Sequence, residues 1–467
     1  MSINLCGKRS FASTAHYAPG YRDRCEAALA EALGSTPAYA SWRASDPGPA
    51  ADVFSRLACL PALTKRDLRA FGPQAFVPHG RDIDRALAAG EIELVETSGV
   101  TSDRVTNVWY QPWWNASEAS SWQLNAHTRA AALGGHREAI LTSPWCAGVP
   151  CEDDYLTMKQ RTLDRFLYLS ERSDPSTWSS DLMDRMAAEI NSFRPLVIEA
   201  NPSFLAMLSR HLIRRRLRVH SPRIIVLTYE NPSALHRRWI ARAFDAAIAS
   251  SYGATEAGYV FMECEAGRLH QVTESCHVDF LPFASAHGGP GVGRMLVTTF
   301  GNLWRSLLRF DIGDIVRLSG ETPCPCGRRE GLTVASIEGR AISLTLTSEG
   351  RAVTQGAVDR ALAEVEGLAE YQLRQTEPSE LHLRSVVSDA DARAPGDEVG
   401  VRRVVEEARE AVQGLYGAGM VVTAESVAAI APDPPGKYIL VRRHNAVDAD
   451  ALLDGPYAPR PLDGGGE

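Results

Sequence analysis

The sequence predicts an α/β protein: a large N-terminal domain of mixed and parallel sheets with helices, then a small α+β domain. Three observations carry that expectation. Arg223-Ile224-Ile225-Val226-Leu227-Thr228 is an unbroken apolar run of strand length, the signature of a strand covered on both faces. Strand-like and helix-like segments alternate between residues 92 and 252, as in βαβ units. Beyond residue 340 the pattern becomes strand, strand, helix, strand.

In chain order, residues 25–33 (CEAALAEAL) hold apolar side chains at helical spacing and stop at Gly34. Thr64 precedes Lys65-Arg66-Asp67-Leu68-Arg69 with an acid three positions on, the pattern of a capped helix start. A helix over 82–89 leads to a short strand over 92–95. Next comes Thr97-Ser98-Gly99-Val100-Thr101-Ser102-Asp103-Arg104, crowded with hydroxyls around one glycine. Such a turn offers N–H and O–H donors to an anion, and it equally suits a polar surface turn. Residues 105–109 alternate as a strand, and a long helix is expected from Trp113-Trp114 through Ala132. Strands over 138–142 and 196–198 flank an expected helix over 158–169. The helix over 203–217 ends in Arg214, Arg215 and Arg216, charges favoured at a helix C-terminus. A helix through Phe244 and a strand over 247–252 follow the central run. Ligands of such sheets bind beyond the carboxyl ends of the strands, where Gly99 and Gly253 are expected to lie. The small domain holds strands over 370–374, 380–384 and 419–424 and an amphipathic helix over 400–415. The expected division is therefore 1–339, 340–447 and a loose tail over 448–467.

At 467 residues the chain exceeds what one hydrophobic core serves. A net charge of -8 argues against nonspecific nucleic-acid binding. No apolar run reaches the ~20 residues of a membrane span, and the first residues lack the apolar core of a secretory leader. Nine scattered cysteines read as the reduced thiols of a cytoplasmic protein.

Several motifs could carry chemistry. In Ser251-Tyr252-Gly253-Ala254-Thr255-Glu256 the tyrosine can stack on a base, and Thr255 and Glu256 supply hard oxygen ligands suited to Mg²⁺. Asp314, at an expected turn after Gly313, can accept hydrogen bonds from a diol. Pro434-Pro435-Gly436-Lys437 presents one lysine on a flexible loop. Cys264 and His270, with Cys324-Pro325-Cys326, suit a tetrahedral structural zinc; the alternative is two unrelated buried thiol pairs. Cys276 and His277 are reserve ligands. Trp109, Trp113, Trp114 and Trp122 are either core or the lining of a pocket for a flat or apolar substrate.

Taken together in their order, Thr97-Ser98-Gly99, Tyr252-Gly253-Ala254-Thr255-Glu256, Arg309-Phe310-Asp311-Ile312-Gly313-Asp314, Gly339-Arg340 and Gly436-Lys437 resemble the motif series of the adenylate-forming superfamily. Leu63-Thr64-Lys65-Arg66-Asp67-Leu68-Arg69 and Cys324-Pro325-Cys326-Gly327-Arg328 are similar to segments of phenylacetate–CoA ligase-like proteins. The resemblance runs from about residue 55 to 443. It implies ATP-dependent activation of a carboxylic acid, aromatic or apolar, as an acyl-adenylate with release of pyrophosphate. Transfer to CoA, a carrier protein or an amine follows.

By the same resemblance, Thr97, Ser98, Gly99, Thr101 and Ser102 hold the ATP phosphates and Glu230 lies beside adenine. Tyr252 and Gly253 flank the adenine and the acyl group, and Glu256 holds Mg²⁺. Asp314, assisted by Arg340, binds the ribose, and Lys437 meets the reacting carboxylate and α-phosphate. A homodimer would fit the family. Val100-Thr101-Ser102-Asp103-Arg104 replaces the family's Thr-Thr-Gly-Lys, and Ala341-Ile342-Ser343 stands where an acidic hinge pair is usual. These departures leave a second expectation, a catalytically silent paralogue that binds a nucleotide or acyl ligand as a sensor or scaffold.

Overall fold

The structure is a computed structural model. It describes residues 16–96, 104–131, 134–144, 150–151, 155–321, 323–388, 398–433, 438–444 and 447–455, with the backbone of 2–3 and 9–10. The chain divides into two compact units. One comprises Met1–Ala126, Tyr252–Ile337 and Asp448–Glu467, the other His127–Ser251 and Glu338–Val447.

In the first unit, strands lie in the order Cys276–Pro282, Val292–Thr299, Phe310–Leu318, Thr333–Arg340, Leu269–Gln271 and Gly258–Glu263. Val292–Thr299 is buried along its whole length, as a strand covered on both faces must be. The helix Tyr21–Ser35 lays Tyr21, Cys25, Leu29 and Ala32 on this core at helical spacing. The helix Lys65–Phe71 begins as expected. Thr64 accepts from the Asp67 N–H while the Asp67 carboxylate accepts from the Thr64 N–H, a reciprocal box that satisfies two donors at the helix start. Its approach is fixed by Leu63, which bridges to Phe310: Leu63 N–H donates to the Arg309 carbonyl at 3.1 Å and its own carbonyl accepts from Asp311 N–H at 2.8 Å.

Four local expectations are corrected here. The hydroxyl-rich segment does not follow a strand of a parallel sheet. Its flanks, Glu93–Glu96 and Thr106–Trp109, form a separate antiparallel hairpin. The long helix breaks after Trp122 and resumes only as Ala126–Arg129. Residues 448–455 are not a loose end: Ala284 N–H donates to Leu452, Phe283 bridges to Leu453, and Arg294 pairs with Asp450. Cys59 is disulfide-bonded, against the expectation of reduced thiols throughout.

The second unit contains the central apolar run as Ile224–Leu227, flanked in parallel by Ala247–Ala254 and Val197–Ala200, then Glu138–Leu141 and Phe166–Tyr168. Thr162–Leu163 closes the edge antiparallel. The helix expected over 158–169 is instead a 3₁₀ turn and this edge hairpin; the crossover helix is Ser180–Phe193. The C-terminal α+β body has strands in the order Val421–Ser426, Glu380–Val387, Leu368–Glu377 and Val441–Arg443, with helices Gln355–Leu362 and Glu398–Tyr416. Ala369, Val386 and Ile430 of this body share a core with Phe204 and Ile240. Around that contact, Arg210 meets Glu370 at 2.8 Å, and Arg238 donates to the carbonyls of Ala363, Val365 and Leu368.

His236 completes a box at the start of the helix Ala234–Ala243, accepting from the Ser233 N–H at 3.3 Å. Burial, with Arg210 nearby, pushes its pKa down to about 3. A depressed folded-state value means the unfolded chain binds the proton first, so stability is whole above pH ~6.5 and falls as pH drops toward 3. His236→Gln is expected to flatten that acid limb in pH-dependent urea denaturation.

Candidate functional site

Asp314 sits within a strand rather than at a turn. Leu296 pairs with Asp311 and Arg294 with Ile315, so Met295 alone faces Ile312, Gly313 and Asp314. Gly313 takes φ 91° in this bulge, and its N–H donates to Asp311 at 2.9 Å. The bulge re-aims the Asp314 carboxylate, which accepts from the Tyr252 hydroxyl at 2.6 Å. Tyr252 and Gly253 lie at the end of the strand Ala247–Ala254, which runs into the turn Thr255-Glu256-Ala257, and only glycine fits after Tyr252. A Cβ on Gly253 would lie 2.5 Å from the Gly258 carbonyl oxygen, and one on Gly258 2.8 Å from the Trp113 ring.

This turn delivers Glu256 to a buried position, 2 % exposed. Its Oε1 has no hydrogen bond of good geometry, but the Lys65 ammonium stands 3.2 Å away. Below it, the buried Arg305 guanidinium donates to the carbonyls of Thr255 and Glu256 and to Asn107 Oδ1. Burial pushes Arg305 down to about 10, opposed by the Glu256 carboxylate, so it stays charged at neutral pH. Asn107 lies on the strand that follows the hydroxyl-rich segment. Arg305 therefore ties the root of that segment to the Thr255–Glu256 peptide.

Thr97, Ser98, Gly99, Thr101 and Ser102 lie outside the described residues, as does Lys437. Glu230 and Arg340 belong to the second unit. Glu230 accepts from Ser203 Oγ at 2.6 Å and from the Tyr438 N–H at 3.2 Å, which anchors the residue directly after Lys437. Tyr229 beside it holds φ 70°, a left-handed conformation costly for an aromatic residue, and its hydroxyl donates to Glu199 at 2.5 Å. Arg340 is exposed at the end of its strand, after Gly339 at φ 97°.

The sequence-expected cluster of Cys264, His270, Cys324 and Cys326 is assembled, with one ligand atom from each within 4.8 Å of the others. Two turns present the cysteines, with Gly267 N–H donating to Cys264 and Gly327 N–H to Cys324, both glycines at positive φ, and the strand Leu269–Gln271 presents His270. Arg328 pairs with Glu265 and Arg268 with Glu321, latching one turn to the other. Burial lowers His270 to about 4, leaving a neutral imidazole at pH 7, and Thr333 Oγ1 meets its Nδ1 at 3.3 Å. Cys276 and His277, the reserve ligands, lie elsewhere: His277 bonds the Tyr21 hydroxyl at 2.8 Å and faces Asp279.

Of the four tryptophans, Trp113 and Trp122 are core. Trp109 and Trp114 contact each other with ring centroids 4.4 Å apart, and Trp114 contacts Tyr259 at 5.0 Å. The Tyr259 hydroxyl donates to Glu118 at 2.8 Å. Sequence reasoning missed Lys65, Arg305 and Asn107 as site residues. The Thr64–Asp67 box marked where Lys65 sits but not what it faces, and nothing in the loop before Arg309 singles out Arg305.

The fold is that of the adenylate-forming acid ligases. Among solved structures the chain is similar to 2-hydroxyisobutyryl-CoA ligase in the postadenylation state with 2-HIB-AMP: TM-score 0.66 and 17% identity over 92% of this chain and 90% of that one. The same ligase with R3-HIB-AMP gives 0.65 and 16% over 91% and 88%. The anthranilate CoA ligase AuaEII in complex with anthranoyl-AMP gives 0.50 and 13% over 74% and 65%. At such identities the likeness is one of fold. No family model and no curated sequence matches the chain. Among the described residues no helix is long and apolar enough to cross a membrane.

Proposed function

We propose that the protein activates a carboxylic acid with ATP, forming an acyl-adenylate and pyrophosphate, and then passes the acyl group to CoA, a carrier protein or an amine. The observation that carries this reading is the first unit's constellation: a buried Glu256 carboxylate and the Tyr252–Asp314 pair, built by one strand end with its turn and one bulge. The fold-neighbours bind acyl-AMP, which agrees with it.

In this mechanism a substrate carboxylate oxygen attacks the α-phosphorus, the bond to the bridging oxygen breaks, and pyrophosphate leaves with the electron pair. Mg²⁺ held by Glu256 would neutralise phosphate charge; the buried oxygen without a well-directed hydrogen bond suits a hard cation. Asp314 accepts from the ribose hydroxyls once Tyr252 turns to the base. Glu230, fixed by Ser203, sets the adenine side and accepts from the N–H of Tyr438, the residue after Lys437. The hydroxyls and N–H groups of Thr97, Ser98, Gly99, Thr101 and Ser102 bind the outer phosphates. The Lys437 ammonium approaches the α-phosphate and stabilises charge that develops only in the transition state. We assign residues 340–447 the role of a lid, with Arg340 at its hinge. Trp109, Trp114 and Tyr259 favour an aromatic or apolar acid, as in phenylacetate–CoA ligase-like proteins.

We further propose that Cys264, His270, Cys324 and Cys326 hold a structural zinc. Bonds of about 2.3 Å to sulfur and 2.0 Å to nitrogen at tetrahedral angles set S···S near ~3.8 Å and S···N near ~3.5 Å. Cys264 and Cys324 Sγ lie 3.8 Å apart, and Cys326 Sγ lies 3.4 Å from His270 Nε2.

The activity is tested by scoring pyrophosphate release over aryl, fatty and amino acids, with Lys437→Ala as control. At least one acid is expected to stimulate release, and the lysine variant to lose ~10²–10³ in rate. Tight ATP binding with no release over the whole panel would favour the silent sensor instead.

A further inference from the structure

Removing a carboxylate from water without a partner is expensive, and the Glu256 side chain is 2 % exposed. Its Oε1 lacks a hydrogen bond of good direction, so what compensates the charge is Coulombic. Two cations stand near. Arg305 is committed to the carbonyls of Thr255 and Glu256 and to Asn107, which fixes the peptide and leaves its guanidinium on the backbone side. Lys65 alone of the described residues makes an ion pair with the carboxylate itself, at 3.2 Å.

Lys65 is held to this task. It is the first residue of the helix Lys65–Phe71, one position after the Thr64 cap and two after Leu63, which is bonded on both sides to the Phe310–Leu318 strand and its approach. A lysine in the first turn of a helix opposes the local dipole, so this position gives the ammonium no local reward. Its partner must be tertiary, and Glu256 is that partner. The side chain remains 20 % exposed, leaving it a route to solvent.

We propose that Lys65 is a built-in counter-ion that occupies the carboxylate of Glu256 until a divalent cation displaces it. This rests on the assignment of Glu256 to the metal and goes beyond it. A compact ammonium on a flexible stem can yield the oxygen and turn outward, which a forked, bidentate guanidinium does less readily. The metal-free protein then never carries a bare buried carboxylate. Metal occupancy is set by competition, and the site fills when nucleotide phosphates add their own oxygens to the cation.

The test is Mn²⁺ binding followed by electron paramagnetic resonance in the presence of saturating α,β-methylene-ATP, which cannot react at the α-phosphorus. Lys65→Met is expected to lower the half-saturating Mn²⁺ about tenfold, because the competitor is gone, and Lys65→Arg to leave it at or above the parent's, because the guanidinium yields the oxygen less readily. The unfolding temperature of Lys65→Met should be lower than the parent's without metal and recover on adding Mn²⁺ and the analogue. A folded Lys65→Met with unchanged or weaker Mn²⁺ binding would overturn the proposal, and Lys65→Gln repeats the measurement if the methionine variant does not fold. Glu256→Gln separates the two claims: if it leaves Mn²⁺ binding untouched, the metal assignment of Glu256 is what fails.

Discussion

Glu256→Gln is expected to lower acid-dependent pyrophosphate release on the order of 10²-fold while barely moving the unfolding temperature. The two halves of that expectation come from different physics. Glutamine keeps the volume of the side chain in its buried slot, and Arg305, which loses a nearby opposite charge, keeps its hydrogen bonds to the carbonyls of Thr255 and Glu256 and to Asn107. Lys65, partly exposed, is left without a partner at small cost because water reaches it. Catalysis depends on the charge rather than the shape, since a neutral amide oxygen holds a divalent cation poorly. A large loss of both activity and stability would instead mark Glu256 as a structural member of the Arg305 cluster.

The second large effect concerns the proposed zinc. The purified protein is expected to hold one equivalent, and Cys326→Ser to lose most of it. The unfolding temperature should fall by several degrees, because the metal joins two turns far apart in sequence within the first unit. Serine is close in size to cysteine, so the change removes a thiolate ligand without opening a cavity. Pyrophosphate release at low temperature should survive, since Arg328–Glu265 and Arg268–Glu321 still latch the turns. A metal-free parent protein with an unchanged unfolding profile would leave the cluster as four packed thiol and imidazole groups.

How far the sequence could be read follows from whether each signal was local. The Thr64–Asp67 box and the strand Ile224–Leu227 are written in adjacent residues, and the structure places them as expected; the Cys-x-Cys-Gly segment brings its thiols beside Cys264 and His270. Residues 158–169 misled because Leu163, Phe166, Leu167 and Leu169 fit helical spacing as well as two short strands. Burial of Leu167 in a sheet decided it. Asp314 looked like a turn residue because Gly313 precedes it; the bulge is visible only once Leu296 and Arg294 are paired across the strand. Lys65 and Arg305 were silent because their partners are distant in the chain. A charged residue in a helix start or a loop carries no mark of the carboxylate or carbonyl it will meet.

Attack by a substrate carboxylate on the α-phosphorus is the step on which the proposed activity stands. Its most direct test is to supply an accepted acid labelled with ¹⁸O in the carboxylate, let the acyl group transfer, and weigh the nucleotide product. Attack there predicts AMP carrying one labelled oxygen and unlabelled pyrophosphate. Label appearing in orthophosphate with ADP would place the attack at the γ-phosphorus and contradict it.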